Sequence, residues 1–221
     1  TRIALNEQGR VVSTITRDPA NNPLFSEHYE YTLAGALSSV QGEVNQTFAY
    51  DQAGRLQSFA DTRSGTESYA YDEAGNRLGQ GYVYDSSFRL VHGANGAELA
   101  YDDDGHVIER TLNGNTQRFS YDGAHRLTAV QDGAGNVVAQ YGYDSYNRRV
   151  RKETVLGRTY YAYNGNQLVA EYDAQVDLVR SYGRFPGASD FPLYVYENGK
   201  TWYVVADARG AVTRLVDGQG N

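Results

Sequence analysis

The fold of this chain is set by a short recurring stretch, which appears in full at Tyr50-Asp51-Gln52-Ala53-Gly54-Arg55-Leu56. Related stretches recur at intervals of about twenty residues, the signature of a tandem repeat. Their shared feature is a tyrosine followed by an aspartate, at Tyr50-Asp51, Tyr71-Asp72, Tyr84-Asp85, Tyr101-Asp102, Tyr121-Asp122 and Tyr143-Asp144. Weaker copies start at Leu5-Asn6, Tyr31-Thr32 and Tyr163-Asn164. The first residue of each copy is its pivot, and each pivot opens one unit of the repeat.

The residues just before each pivot alternate in the way that is typical of a β-strand. A large apolar residue stands two positions before the pivot, as Phe48 does before Tyr50, and a small one such as Ala49 lies between them. Side chains two positions apart point to the same face of a strand. Each unit is therefore predicted to place a pair of large, usually aromatic, side chains on one face of a sheet.

The residues after each pivot predict a tight turn. Aspartate favours the first position of a type I turn, and a glycine three residues later can take a positive φ and lead into the return strand through a bulge. Asn147 and Asn166 are plausible substitutes for this glycine, whereas Phe88 and His125 fit it poorly and predict altered turns. Glycine holds the place at Gly35, Gly54, Gly75 and Gly105.

A second turn is predicted at the opposite end of each unit, with candidates at Asp61–Gly65, Asn113-Gly114, Asp132–Asn136 and Leu156-Gly157. Gly65 lies in a looser sequence and is expected to tolerate substitution better than Gly54. Because hairpins follow hairpins with no helical period between them, the sequence predicts an all-β fold. Tandem antiparallel β-hairpin repeats would form a large curved or spiralling sheet.

Three regions are expected along the chain. Residues 1–182 form the hairpin array, residues 183–192 a loop rich in proline and glycine, and residues 193–221 terminal hairpins. Asn198-Gly199 predicts a type I′ turn, and Asp207–Gly210 predicts one more turn. The whole chain is expected to be one continuous β-structure.

The repeated tyrosine–aspartate units resemble the YD-repeat, or Rhs-repeat, family, and residues 194–221 are similar to the core region that follows such repeats. The resemblance implies part of a β-shell, as found in bacterial polymorphic toxins, toxin-complex subunits, wall-associated proteins and animal teneurins. In toxin members the shell encloses a C-terminal effector, and a self-cleaving aspartate site lies at the end of the core. No residue of this sequence can be matched to that site.

Composition narrows the possible functions. The net charge of −7 disfavours nucleic-acid binding, which draws on a basic surface. The longest apolar runs are too short to span a membrane. Cysteine is absent, which excludes disulfides and thiolate metal sites. Methionine is absent even at residue 1, so the chain is interpreted as a piece of a larger protein.

No catalytic, cofactor or metal site is expected. The acidic run at Asp102–Asp104 lacks the spacing of a calcium loop. The four histidines are not spaced as zinc ligands and are expected to be surface or turn residues. The aspartates recur in nearly every unit, as turn residues do, so the chain is expected not to be an enzyme. Structural repeat roles are assigned to Tyr50, Asp51, Gly54, Tyr71, Asp72, Gly75, Tyr84, Asp85, Tyr101, Asp102, Gly105, Tyr121, Asp122, Tyr143 and Asp144.

Two functions remain open from the sequence. The chain could be a structural β-shell segment that encloses or presents a C-terminal toxin or effector region, with the rest of its own polypeptide as partner. The alternative is a carbohydrate-binding surface module that uses exposed tyrosines. A secreted or cell-surface location, in a bacterium, is expected for the first function.

Overall fold

The structure is a computed structural model that describes residues 2–18, 20–79, 81–184, 192–206 and 211–220. Within these ranges the chain forms β-strands joined by turns and contains no helix. The predicted all-β fold of tandem antiparallel hairpins is therefore confirmed. Among the same residues there is no helical segment with the length and apolar character needed to cross a membrane.

The first sheet contains seven strands, which lie side by side in chain order and pair antiparallel. They are β1 (Arg2–Leu5), β2 (Val11–Arg17), β3 (Pro23–Tyr31), β4 (Leu37–Gln41), β5 (Gln46–Tyr50), β6 (Leu56–Asp61) and β7 (Gly65–Ser68). Each strand is thus hydrogen-bonded to the strands before and after it, which is the pattern of a meander.

A two-stranded sheet follows, formed by β8 (Ala70–Tyr71) and β9 (Arg77–Leu78). The third sheet contains fourteen strands, again in chain order. They are β10 (Val83–Tyr84), β11 (Leu90–His92), β12 (Glu98–Tyr101), β13 (Val107–Leu112), β14 (Asn115–Tyr121), β15 (Leu127–Asp132), β16 (Val137–Tyr143), β17 (Arg149–Thr154), β18 (Gly157–Asn164), β19 (Gln167–Tyr172), β20 (Leu178–Gly183), β21 (Tyr194–Glu197), β22 (Lys200–Ala206) and β23 (Val212–Val216).

The ladder of strands is interrupted where the sequence predicted one continuous β-structure. The interruption falls between β7 and β10, around the pivots Tyr71 and Tyr84. These pivots are only thirteen residues apart in the sequence, the shortest interval in the repeat. So short a unit leaves room for two-residue strands only, and β8 and β9 pair with each other instead of with either large sheet.

The pivot is the place where the strand register shifts. Ala49 pairs with Ser58, but the next residue, Tyr50, pairs with Leu56, so one extra residue lies on the partner strand. The same shift occurs at the pivots Tyr31, Tyr101, Tyr121 and Tyr143. The predicted bulge after the turn is therefore present, and it strengthens the local twist of the sheet.

The chain divides into two compact units, each with a small buried core. Unit 1 comprises Thr1–Ala70 and Tyr182–Asn221, and unit 2 comprises Tyr71–Ser181. In unit 1 the buried apolar residues are Tyr29, Val40, Val195, Val205 and Val216. In unit 2 they are Ala97, Val130, Ala139 and Ala170. Most other strand residues are only half-buried, so each fully buried side chain carries a large share of the packing.

Phe88 and His125 do not produce the altered turns that the sequence predicted, and that expectation is wrong. Both have φ of 61°, in the region that glycine occupies in the other units. Their backbone N–H groups donate to the carbonyls of Asp85 and Asp122, as Gly54 N–H does to Asp51. The aspartate therefore fixes the turn firmly enough to hold an L-residue in a left-handed conformation.

Asparagine substitutes for this glycine at one of its two predicted positions. Asn147 has φ of 63°, as expected. In the unit that starts at Tyr163, Gly165 takes the positive φ of 56° instead of Asn166. The reason is a shorter turn, since Asn164 pairs directly with Gln167 and only two residues connect the strands.

The turns at the opposite ends of the units follow their sequence signals. Asn113 and Gly114 both have positive φ, and so do Asn198 and Gly199, as a type I′ turn requires. The predicted turn at Asp207–Gly210 and residues 185–191 of the predicted loop 183–192 lie outside the described residues.

Gly65 is as constrained as Gly54, which contradicts the expectation of a looser turn. Their φ angles are 85° and 76°, and an added Cβ would meet no atom within 4 Å at either position. We expect Gly54→Ala and Gly65→Ala each to lower the free energy of unfolding by about 1–2 kcal/mol, the cost of a left-handed L-residue. Gly123 has equally open surroundings without a positive φ, so Gly123→Ala should be nearly neutral. Urea titration of the three variants tests this, and a full cost at Gly123 would contradict it.

Candidate functional site

The pivot tyrosines join neighbouring units of the repeat. The Tyr143 hydroxyl donates to the carbonyl of Leu127 at 2.9 Å, and Leu127 lies six residues after the preceding pivot, Tyr121. The same offset of six recurs for the hydroxyls of Tyr31, Tyr50, Tyr84, Tyr101, Tyr121 and Tyr163, which donate to the carbonyls of Val11, Leu37, Arg77, Leu90, Val107 and Arg149. Each of these bonds therefore ties one unit to the unit before it.

The aspartate after each pivot organises the turn. Oδ1 of Asp51 accepts the backbone N–H groups of Ala53 and Arg55, both at 2.9 Å. The carboxylates of Asp85, Asp122 and Asp144 accept the equivalent pair of N–H groups. Asp72 and Asp102 accept the backbone N–H four residues ahead, from Asn76 and His106. These carboxylates are therefore used within their own turns.

The arginine four residues after the aspartate completes the arrangement, and its role was missed from the sequence. Nε of Arg126 donates to Oδ2 of Asp122 at 2.8 Å, and its guanidinium lies 4.9 Å from the ring centre of Tyr143, the next pivot. Nη1 of Arg126 also donates to the carbonyl of Asp144 at 3.2 Å. The recurrence of arginine at this place, in Arg55, Arg89, Arg126 and Arg148, is the signal that would have identified it.

We name this set of contacts the brace: an aspartate, the arginine four residues later and the tyrosine pivot of the next unit. Arg89 stacks over Tyr101 at 4.9 Å and Arg148 over Tyr163 at 5.0 Å, which repeats the geometry in other units. Such cation–π contacts contribute about 0.5–1 kcal/mol each where they are exposed. A brace couples the turn of one unit to the ring of the next.

The brace changes the pKa of its ionisable groups. The backbone N–H of Arg55, followed by its side chain, lowers the pKa of Asp51. The Arg126 side chain is the largest cause of the lowered pKa at Asp122. At Asp144 partial burial acts in the opposite direction, but the hydrogen bonds from Arg148 and Tyr146 outweigh it and lower the pKa. Burial raises the pKa of the Tyr121 and Tyr143 hydroxyls, so both remain hydrogen-bond donors at neutral pH.

One brace is built from histidine instead of arginine. His106 occupies the arginine place, and its Nδ1 lies 2.8 Å from Oδ2 of Asp102. Its ring stacks on Tyr121, with 4.5 Å between ring centres. His125, in the turn of the next unit, lies beside it, with 3.0 Å between His125 Nδ1 and His106 Nε2. His125 is an exposed turn residue, as expected, whereas His106 is half-buried and directly follows its turn. Their spacing along the chain did not predict that they would meet.

A polar cavity of about 190 Å³ lies in unit 1, lined in part by Glu27, Tyr29, Glu43 and Arg214. Its charges are paired, since the Arg214 guanidinium lies 3.0 Å from the Glu43 carboxylate. The Tyr29 hydroxyl donates to the Glu27 carboxylate. Two of the acidic groups in the lining are therefore already engaged, although the buried Nε of Arg214 has no hydrogen-bond partner among the described residues.

Comparison with known proteins places these features in a family context. The sequence profile of the teneurin YD-shell family matches residues 2–221. A double-stranded DNA deaminase toxin A from Burkholderia cenocepacia is 35% identical over 139 residues, which cover 57% of this chain and 9% of that protein. A tRNA3(Ser)-specific nuclease WapA from Bacillus spizizenii is 30% identical over 165 residues, which cover 69% of this chain and 7% of that protein. The chain thus spans less than a tenth of the length of either relative.

Solved structures of toxin complexes also resemble the chain at low similarity. The match to a crystal structure of TcdB2–TccC3 without its hypervariable C-terminal region covers 97% of this chain and 15% of the TcdB2–TccC3 chain, at 13% identity and a TM-score of 0.45. The match to the structure of the Photorhabdus luminescens Tc holotoxin pore covers 94% of this chain and 14% of the matched chain, at 13% identity and a TM-score of 0.44. The family profile extends over nearly the whole sequence and agrees with the tyrosine–aspartate repeat, so this chain belongs to the teneurin YD-shell family.

Proposed function

We propose that this chain is a wall segment of a β-shell that encloses or presents a toxin or effector region of the same polypeptide. In this proposal the segment is not an enzyme and binds no nucleic acid. Its partners are the neighbouring repeats and the enclosed region. A bacterial, secreted or cell-surface location accompanies this function.

The observation that carries the proposal is the brace. The pivot tyrosine gives its hydroxyl to the preceding unit, and the arginine of that unit covers its ring. The aspartate gives its carboxylate to its own turn and to the arginine. Residues that recur in nearly every unit therefore hold units together, which is what a wall needs.

The relatives support the same function. Two curated proteins that share the repeat are named as a deaminase toxin and a nuclease, and the part similar to this chain is under a tenth of each. An activity of that kind needs a separate domain in the same polypeptide. The repeat itself then serves that domain, and confinement is the role we propose.

Deletion of one complete repeat unit from the full-length polypeptide tests the proposal. Removing Tyr101–Ser120 joins Ala100 to Tyr121, so one pivot replaces another and two strands are lost together. We expect the remaining hairpins to stay paired and the wall to be breached. The enclosed region should then be cleaved by a protease at least about tenfold faster, while circular dichroism still reports β-structure.

A second deletion controls for a local folding defect. Removing Tyr121–Gly142 joins Ser120 to Tyr143 and takes away the next unit in the same manner. Both deletions should expose the enclosed region. If both variants remain folded and the effector region stays as protected as in the wild type, the wall function is wrong.

Carbohydrate binding is the second candidate, and one observation favours it. Tyr194, Tyr196 and Tyr203 are 41%, 41% and 47% exposed, and Tyr194 pairs with Tyr203 across neighbouring strands. None of the three is a pivot. Glycan-array binding that is lost in Tyr196→Ala and Tyr203→Ala but kept in Tyr146→Ala would support this function instead.

A further inference from the structure

Two departures from the repeat pattern fall in neighbouring turns, and the structure brings them together. His106 stands where Arg55, Arg89, Arg126 and Arg148 stand in other units. His125 stands where most units have glycine, and it keeps the left-handed backbone with φ of 61°. The two residues are nineteen positions apart in the chain, but Nδ1 of His125 lies 3.0 Å from Nε2 of His106.

A carboxylate completes the cluster. Asp104 lies in the same turn as His106, and one ligand atom from each of Asp104, His106 and His125 lies within 4.8 Å of the other two. Around a tetrahedral zinc ion with bonds of about 2.0–2.1 Å, neighbouring ligand atoms are about 3.3 Å apart. The two nitrogens are thus close to ligand separation already, and an oxygen of the exposed Asp104 side chain lies within 4.8 Å of both.

The surroundings hold His106 in an orientation suited to metal binding. Its Nδ1 lies 2.8 Å from the Asp102 carboxylate; when the Nδ1–H donates a hydrogen bond to that carboxylate, the Nε2 lone pair faces His125. Carboxylate–histidine pairs of this kind fix the tautomer and ring orientation of metal-ligating histidines. Stacking on Tyr121 restrains the ring further.

We propose that Asp104, His106 and His125 bind a divalent transition-metal ion, with zinc as the representative ion. Two imidazoles and one carboxylate suit zinc, nickel or copper better than calcium or magnesium, which prefer all-oxygen ligands. Three protein ligands leave a fourth position for water. The ion would link the turns that start at Tyr101 and Tyr121, and would thus add a second connection between these two units beside the brace. The sequence had indicated no metal site, because its histidines lack ligand spacing along the chain.

The repeat supplies matched variants that should remove the ligands and keep the fold. His106→Arg places at this position the residue found at Arg55, Arg89, Arg126 and Arg148. All four arginines pair with the aspartate of their own turn, and the last three also cover the next pivot. His125→Asn places there the residue that Asn147 provides at the equivalent position, with φ of 63°. His28→Asn, on an exposed strand residue of unit 1, is the control.

Zinc titrated calorimetrically into the untagged chain, followed by elemental analysis, should give one ion per chain. His106→Arg and His125→Asn should each weaken binding by at least about a hundredfold, and His28→Asn should leave it unchanged. Asp102→Asn, which acts through His106, should weaken binding about 10–100-fold. Cobalt(II) added in place of zinc should give the visible absorption bands of a four-coordinate ion in the wild-type chain. These bands should be absent in His106→Arg and His125→Asn.

Urea midpoints close to wild type would show that the ligand variants are folded. Absence of zinc binding to the wild-type chain would overturn the proposal, and so would wild-type affinity in His106→Arg or His125→Asn. Either result would mean that the two histidines only share a hydrogen bond.

Discussion

Tyr29→Ala is expected to lower the free energy of unfolding by about 3–5 kcal/mol, the usual cost of removing a large buried aromatic side chain. Tyr29 is 2% exposed and is the largest fully buried side chain among the described residues. It pairs with Val40 across β3 and β4, and Val40 is 5% exposed. Because so few side chains in unit 1 are fully buried, its neighbours cannot replace the lost contacts.

Urea unfolding followed by circular dichroism measures this effect. Tyr146→Ala is the matched control, since Tyr146 is 76% exposed and lies in a turn. It should lower stability by no more than about 1 kcal/mol, the value of its exposed cation–π contact with Arg148. In Tyr29→Ala, the backbone amides of β3 and β4 should be the first to lose protection against hydrogen exchange. Equal midpoints for the two variants would show that Tyr29 is not part of a core.

Acidification is expected to unfold the repeats cooperatively below about pH 4. Nine aspartates have a pKa below their ordinary value of 3.8, namely Asp18, Asp51, Asp61, Asp72, Asp85, Asp102, Asp122, Asp132 and Asp144. A lowered folded-state pKa means that the ionised carboxylate stabilises the native chain. That contribution is fully present above the unfolded pKa and is lost as the pH falls through the folded one.

The urea midpoint should therefore be nearly constant from pH 7 to about pH 5 and should fall steeply toward pH 3. Asp122→Asn keeps an oxygen that can accept the turn N–H groups but removes the charge. Its midpoint should be lower at pH 7 and should depend less on pH than that of the wild type. Gly123→Ala, at the adjacent uncharged position, should keep the wild-type pH dependence. A midpoint that does not change between pH 7 and pH 3 would contradict the assigned role of the aspartates.

The hairpin and its turn could be predicted from local sequence. Asp51 and Gly54 predicted the turn that the structure shows, because an aspartate at the first position of a turn accepts backbone N–H groups only a few residues ahead in the chain. Alternation at Phe48, Ala49 and Tyr50 likewise predicted which residues are half-buried and which are exposed. These features depend on neighbours within about ten residues, and the sequence displays those neighbours directly.

The misjudged turns show how local rules can be overridden. Phe88 was expected to disturb its turn because it is a bulky residue at a glycine place, yet it has the standard φ. The carboxylate of Asp85 accepts the N–H groups of Ser87 and Arg89, and Arg89 Nε pairs with it as well. Several hydrogen bonds to one carboxylate together outweigh the backbone preference of a single residue. The residue type at the glycine position alone does not indicate their combined effect.

Contacts between residues of different units, in contrast, depend on how the strands pair in the folded chain. It placed the Arg126 guanidinium over Tyr143, buried Tyr29 beside Val40, and brought His125 to His106. Each of these contacts joins residues that are eleven or more positions apart, and their closeness depends on the pairing register of the strands between them. Register is set by bulges and turn lengths together, so that shifting any one of them would move every later contact. The repeat and its turns can therefore be recognised in the sequence, whereas the braces and the histidine pair exist only once the units are stacked in register.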